Sequence, residues 1–137
     1  MKHVLHKMTL LLALAGSLAS FSTEAIGDED QAAQTQSLRG NAEAASEAWV
    51  LIEQGALLID VRSAEEYDRG HIEGAINIPH SDTEALLSAI GDDTARKVVL
   101  YCGSGGRAGR AITAIEASGY TGLFNATGLD ALQATQP

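Results

Sequence analysis

"KVVLYCGSGGRAGRAITAIEASG", residues 97–119, holds the chain's single cysteine and decides how the chain is built. Val98, Val99, Leu100 and Tyr101 form a short apolar run, the mark of a strand buried on both faces. Gly103, Gly105 and Gly106 follow and permit the backbone angles of a tight turn. Ala108, Ile112 and Ile115 then recur on one helical face, and Gly119 marks that helix's end. The stretch predicts strand, glycine-rich turn and helix, with Cys102 immediately past the strand's carboxyl end.

The same unit recurs on either side. "ALLIDV" (56–61), "AINIP" (75–79) and "GLFN" (122–125) read as further short strands. "SAEEYDRG" starts with Ser63 and has Glu66 three residues on, a capping box opening a short helix. "SDTEALLSAIG" repeats the device, with Ser81 and Glu84 as the box, Leu86, Leu87 and Ile90 as the buried stripe and Gly91 as the stop. In "NAEAASEAWVLIEQG", Asn41 is the expected N-cap, Gly55 the stop, and Ala45, Trp49 and Ile52 the inner face. "GLDAL" starts a last helical turn. Strands alternating with helices at this spacing predict an α/β fold, a parallel sheet with helices on both faces. Ligands of such sheets bind outside the carboxyl ends of the strands, where Cys102 and Asp60 both fall.

The chain has 137 residues, enough for one domain with a core. Hydrophobic residues make up 45% and aromatics only 4%, so the core rests on Leu, Ile, Val and Ala. A formal net charge of −9 argues against nucleic acid as a partner and against an anionic membrane surface. Lys2 and Lys7, the apolar run "MTLLLALAGSLASF" and the small residues Thr23 and Ala25 have the order of a secretory signal, expected over 1–25. The apolar run is shorter than the ~20 residues of a membrane span. Residues 26–40, "IGDEDQAAQTQSLRG", show no apolar period and read as a polar linker or N-terminal extension, leaving 41–137 as the domain. Export implies a periplasmic or otherwise extracytoplasmic protein, with no membrane attachment once the leader is removed. Small exported domains use cysteines in pairs, and a lone one cannot close an internal bridge.

In "CGSGGR" (102–107) the turn can aim successive N–H groups into one concavity. The following helix adds its unpaired N–H groups and the positive end of its dipole. Arg107 adds a fixed charge. All converge on Cys102, whose thiol is therefore expected to ionise below the ordinary value of ~8.5. Three chemistries could use such a loop. Gly103, Gly105 and Ala108 fit G-x-G-x-x-A, but the acidic residue of a dinucleotide site is missing where Leu123, Phe124 and Asn125 stand. Cysteine phosphatases are built on Cys-x5-Arg, whereas here the spacing is Cys102-x4-Arg107, a tighter ring. The third is sulfur transfer: a persulfide on Cys102 would be an anion held by the amides of 103–107, with no metal or other cofactor required.

The chain resembles the single-domain rhodaneses. "LLIDVRSAEEYDRGHIEGAINIP" (57–79) is similar to the family's first signature, and "VVLYCGSGGRAGRAITAIEASGYTGLFNATGL" (98–129) to its active-loop region. With its leader, the chain is similar to the small periplasmic phage-shock rhodaneses of bacteria. The resemblance implies a three-layer domain with a sheet of about five strands. It implies thiosulfate sulfurtransferase activity, with Cys102 as sulfur carrier and Gly103, Ser104, Gly105, Gly106 and Arg107 as persulfide cradle. Asp60 and Arg62 are implied as supports. The partners would be a small sulfur donor, a cyanide or thiol acceptor, and a thiol reductant protein. Read by themselves, Asp60 can equally cap a loop, and Arg62 is expected to pair with Glu65 or Glu66. His71 is expected to make a structural hydrogen bond, His80 could reach the site rim, and Trp49 belongs to the core. A non-enzymatic module that binds a partner or senses redox state is the alternative; a cysteine phosphatase is the more distant one.

Overall fold

The computed structural model describes residues 24–137, with side chains from residue 29 onward; all but the last two residues of the expected leader lie outside them. Its elements run α1 (Glu24–Glu53), β1 (Leu57–Asp60), α2 (Ala64–Arg69), β2 (Ile76–Asn77), α3 (Thr83–Ile90), β3 (Val98–Cys102), α4 (Gly106–Glu116), β4 (Leu123–Gly128) and α5 (Leu129–Ala134). The sheet lies in the compact unit Thr35–Pro137. Its order is β2-β1-β3-β4 and every pairing is parallel. Among the described residues the strands number four rather than the expected five or so.

Side-chain alternation along the strands sorts the core into two layers. Ile59, Val98, Leu100 and Cys102 face one side, packed with Leu86 and Ile90 of α3 and Ala108, Ala111 and Ile115 of α4. Leu58, Val99 and Tyr101 face the other, packed with Ala45 and Ala48 of α1 and Leu132 of α5. Trp49 packs against this second layer, and its indole N–H donates to the Leu132 carbonyl at 3.0 Å. β3 is buried at all five positions, as a central parallel strand must be.

Two expected helix starts move. α1 runs straight through Asn41, which is therefore not an N-cap, and residues 26–40 are helical. Those from 29 to 40 are exposed throughout. An absent apolar stripe says that a helix face is not packed; Ala, Gln, Leu and Arg still favour the helix itself. α1 does end at Gly55, where φ is +95°, and the N–H groups of Gly55 and Ala56 close back on the carbonyls of Ile52 and Leu51. Ser63 caps α2 through the full capping box with Glu66. α3 is capped by Asp82, whose carboxylate accepts from the Ala85 N–H at 3.0 Å, in place of the expected Ser81. An Asp at that position also favours the positive helix end by its charge, which a Ser does not.

The pairing of β3 with β4 slips by one residue: Leu100 faces Asn125, but Cys102 faces Gly128. This bulge re-aims the end of β4 beneath the cysteine loop. Two glycines mark how close the backbones come. A Cβ on Gly122 would lie 2.1 Å from the Arg96 carbonyl oxygen, whereas one on the helical Gly40 would meet nothing. Gly122→Ala should lose about 1–3 kcal/mol in urea unfolding through overpacking. Gly40→Ala should gain up to about 1 kcal/mol, or a matching rise in helical circular dichroism.

Candidate active site

Cys102 ends β3 with its sulfur on the face covered by α3 and α4, and the residue is 1% exposed. Gly103 to Gly105 then turn the chain back over it. Gly105, at φ +94°, is the N-cap of α4 and donates its N–H to Cys102 Sγ at 3.0 Å. No side chain caps α4, so its first N–H groups are free for the sulfur. Burial by itself pushes the Cys102 thiol up. The backbone N–H groups of Ala108, Ser104, Gly105 and Arg107 together outweigh it, so the pKa lies below the ordinary thiol value. Ala108, one residue beyond the expected 103–107 cradle, contributes most among these four. Gly106 supplies the first residue of α4, and Gly103 and Ser104 are exposed.

The end of β4 supports this loop from beneath. Asn125 donates its side-chain N–H to the Gly105 carbonyl at 3.0 Å and accepts from the Thr127 N–H at 2.9 Å. Thr127 sits at φ +66°, a strained place for a β-branched residue, and its buried hydroxyl has no partner. The strain comes with close approach. A Cβ on Gly105 would lie 3.2 Å from Thr127 Cα, and one on Gly128 would lie 2.0 Å from the Gly103 oxygen. Beside the loop opens a groove of about 390 Å³, lined by Ser104, Thr127, Gly128, Leu38, Ala42 and Ala131 among others.

The charged residues form two closed pairs. Asp60 is fully buried, and Arg62 is 7% exposed. Arg62 donates from Nη2 to Asp60 Oδ2 at 2.7 Å, from Nε to Oδ1 at 3.0 Å, and from its backbone N–H to Oδ1 at 3.0 Å. Arg62 thus pairs with Asp60, not with Glu65 or Glu66. The reason is position: Asp60 ends β1 beside Tyr101, and the Arg62 side chain lies back along the strand end, where Nη2 also reaches the Gly70 carbonyl at 2.7 Å. Glu66 belongs instead to Arg107. Arg107 Nη1 donates to Oε2 at 2.7 Å and Nη2 to Oε1 at 3.0 Å. The Arg107 hydrogen bonds, helped by the Ser63 backbone, hold Glu66 down to about 2. Arg107 also lies against the cysteine loop: a Cβ on Gly103 would be 3.3 Å from its Nη2.

Of the expected loop residues, Ser104, Gly105 and Arg107 turn backbone N–H groups toward the sulfur, while Asp60 and Arg62 stand one strand away, tied to each other. His71 Nδ1 lies 2.8 Å from the Tyr67 carbonyl and its ring stacks on Tyr67, a structural role as expected. His80 is half-buried and ties its backbone N–H to the Val61 carbonyl. Three contributors escaped the sequence reading: Ala108, Asn125 and the Glu66–Arg107 pair. Asn125 had a signal, a polar side chain at the end of an apolar strand. The ion pair had none, since its partners are 41 residues apart.

A sulfur held this way is a nucleophile whose anion, or any anion built on it, is solvated by backbone amides. The thiolate absorbance of Cys102 should titrate with a midpoint below ~8.5. Because the folded pKa is lowered, its ionisation adds stability as pH rises toward the unfolded thiol value, and that increment is lost as pH falls through the folded one. Asn125→Ala should raise the titration midpoint and cost about 1–3 kcal/mol, because it releases the Gly105 carbonyl and leaves the Thr127 N–H unpaired. An unchanged midpoint in a folded variant would show that Gly105 needs no support from below.

Comparison with known proteins bears on this site. Residues 44–134 match the rhodanese-like domain. The chain is 38% identical over 71 residues to the thiosulfate sulfurtransferase PspE of Escherichia coli K12, covering 52% of this chain and 68% of that protein. Among solved structures it is similar to a rhodanese with anions from E. coli, at 37% identity and a TM-score of 0.53, covering 56% of this chain and 91% of that one. It is also similar to the human single-domain sulfurtransferase TSTD1, at 34% identity and a TM-score of 0.55, covering 66% and 92%. A parallel α/β sheet with its cysteine under a helix start and a match across most of the described chain lead to one assignment: the chain belongs to the rhodanese family, a family of sulfurtransferases.

Proposed function

We propose that this chain is a thiosulfate sulfurtransferase that carries sulfane sulfur as a persulfide on Cys102. The observation that carries the reading is the 3.0 Å hydrogen bond from the Gly105 N–H to Sγ, within a ring of amides that lowers the thiol's pKa. The Cys102 thiolate attacks the outer sulfur of thiosulfate. The new S–S bond forms as the old one breaks, and sulfite leaves with the electron pair. The product, Cys102–S–S⁻, keeps one negative charge beside the same amides. Gly103, Ser104, Gly105, Gly106 and Arg107 form the cradle, extended to Ala108. Cyanide or a thiolate then attacks the outer sulfur, leaving as thiocyanate or a new persulfide and restoring the Cys102 thiolate. Once Cys102 is a thiolate, no proton transfer is needed in either half.

Asp60 and Arg62 support the site from the neighbouring strand and do not touch the donor: Asp60 is fully buried, and its carboxylate is taken up by Arg62. The leader-like residues 1–25 support an exported, periplasmic location. No helix among the described residues is long and apolar enough to cross a membrane. In an oxidising compartment a thiolate tends toward sulfenic acid, which supports a thiol reductant protein as partner. The close cover over Sγ favours small donors and acceptors, in keeping with thiosulfate and cyanide.

Incubating the reduced protein with thiosulfate should add the mass of one sulfur atom. Cyanide should remove it as thiocyanate, and Cys102→Ser should abolish both steps while leaving the fold intact. A folded, reduced protein that gains no sulfur would overturn the reading. Asp60→Asn should act mainly on stability, at about 3–5 kcal/mol for a buried pair left half-charged; a folded variant that still charges Cys102 at the wild-type rate fits its indirect role.

A further inference from the structure

The guanidinium beside the cysteine is already neutralised. Arg107 is the loop's one cation, and both of its terminal nitrogens are engaged by the two oxygens of Glu66, at 2.7 and 3.0 Å. Its Nη2 stands over Gly103, within 3.3 Å of where a Cβ would be, so the pair sits at the edge of the cysteine loop. The two side chains are 29% and 32% exposed, which puts both within reach of an arriving ligand and of solvent. The pKa of Arg107 is raised first by Glu66 and also by Cys102 itself, which agrees with a guanidinium lying between the two.

We infer that Glu66 is a specificity-determining residue that biases the Cys102 site against dianionic sulfur donors and toward donors of lower charge. The inference rests on the sulfurtransferase reading. When the Cys102 thiolate attacks a thiosulfate dianion, two negative charges join the one on Sγ, giving three in the transition state. The amide cradle can stabilise the sulfur that stays, but the departing sulfite must place its charge outside the cradle. The nearest compensating charge is Arg107, and Glu66 must be displaced or tolerated. A monoanionic donor with the same reacting bond meets half the penalty, because a fixed potential acts on each unit charge alike.

Methanethiosulfonate makes the comparison clean. It presents the same outer sulfur on a sulfonyl group, with a methyl in place of one charged oxygen, and releases methanesulfinate where thiosulfate releases sulfite. Glu66→Gln removes the charge and keeps the shape. Gln preserves the capping box with Ser63, so α2 retains its start. It also still accepts one hydrogen bond from Arg107.

The experiment measures the second-order rate of sulfur loading on Cys102 by each donor, in the wild-type protein and in Glu66→Gln, read as the mass gain of the intact chain. Loading by thiosulfate should rise about three- to tenfold, and loading by methanethiosulfonate by roughly the square root of that factor. The ratio of the two rates should therefore move toward thiosulfate by about two- to threefold. A purely structural Glu66 would change both rates in proportion, and an unchanged or falling ratio overturns the inference. Should neither donor load the wild-type protein, the sulfurtransferase reading fails and takes this inference with it. Loading by both donors with an unmoved ratio leaves that reading standing and removes only the role of Glu66.

Discussion

A sulfur anion at a residue 1% exposed has to be solvated by the protein itself, and the rest of the domain is arranged around that requirement. Water cannot do it, and a buried unpaired charge would cost several kcal/mol, on the order estimated for isolated ions in proteins. Strand alternation aims Cys102 into the layer under α4, and the uncapped start of α4 supplies N–H groups there. The turn must then be short enough to bring Gly105 back to 3.0 Å from Sγ. That closeness excludes a side chain at Gly105 and again at Gly128, where the end of β4 passes under the loop. The strained φ of Thr127 and the bulge between β3 and β4 follow from the same crowding. Asn125 joins the two layers of backbone by bonding to both.

The second charged constellation does a different job. Asp60 and Arg62 are closed on each other, and the loop between β1 and β2 is built outward from them. Arg62 holds the Gly70 carbonyl, and Asn77 donates to the carbonyls of Asp60 and Arg62 at 3.0 Å each. The Tyr101 hydroxyl, next in sequence to the cysteine, accepts from the Ile72 N–H at 3.0 Å, while the Tyr67 hydroxyl donates to the Ala75 carbonyl at 2.7 Å. Residues 57–79 are therefore mostly a frame that fixes the strand ends. Removing a member of such a network leaves a buried partner unpaired, which explains why its polar residues need not touch substrate to matter.

Much of this was legible in the sequence because it is local. Apolar runs of four or five residues between turn signals give β1 and β3, the Ser63–Glu66 spacing gives α2, and the glycines after Cys102 give the loop. What was not legible is non-local or depends on a balance of small terms. Asp82 outcompetes Ser81 as a cap by one residue, a choice that turns on backbone angles and charge together. The helix through 26–40 has no apolar period to announce it, and its side chains from 29 to 40 are exposed. The partner of Glu66 lies across the sheet end on α4, so both its capping role and its salt bridge are real, and only the first is written in the spacing. The partner of Arg62 is hidden for the converse reason: nearness in sequence to Glu65 and Glu66 says little when the strand end turns its side chain back toward Asp60.

Amides and ion pairs also differ in what they do at a distance. A ring of backbone N–H groups stabilises an anion in contact with it and carries no net charge, so its field fades within a few ångströms. With Arg107 neutralised by Glu66, the cysteine loop has little long-range attraction to offer, and the chain as a whole has a formal net charge of −9. Anionic ligands are then not steered toward the site and are recognised only on contact. Such a site separates two tasks that a free arginine would merge. It stabilises one sulfur anion by contact, without a net positive charge that would draw other anions such as sulfate or phosphate toward it. What stabilises the Cys102 anion is geometry around a single atom.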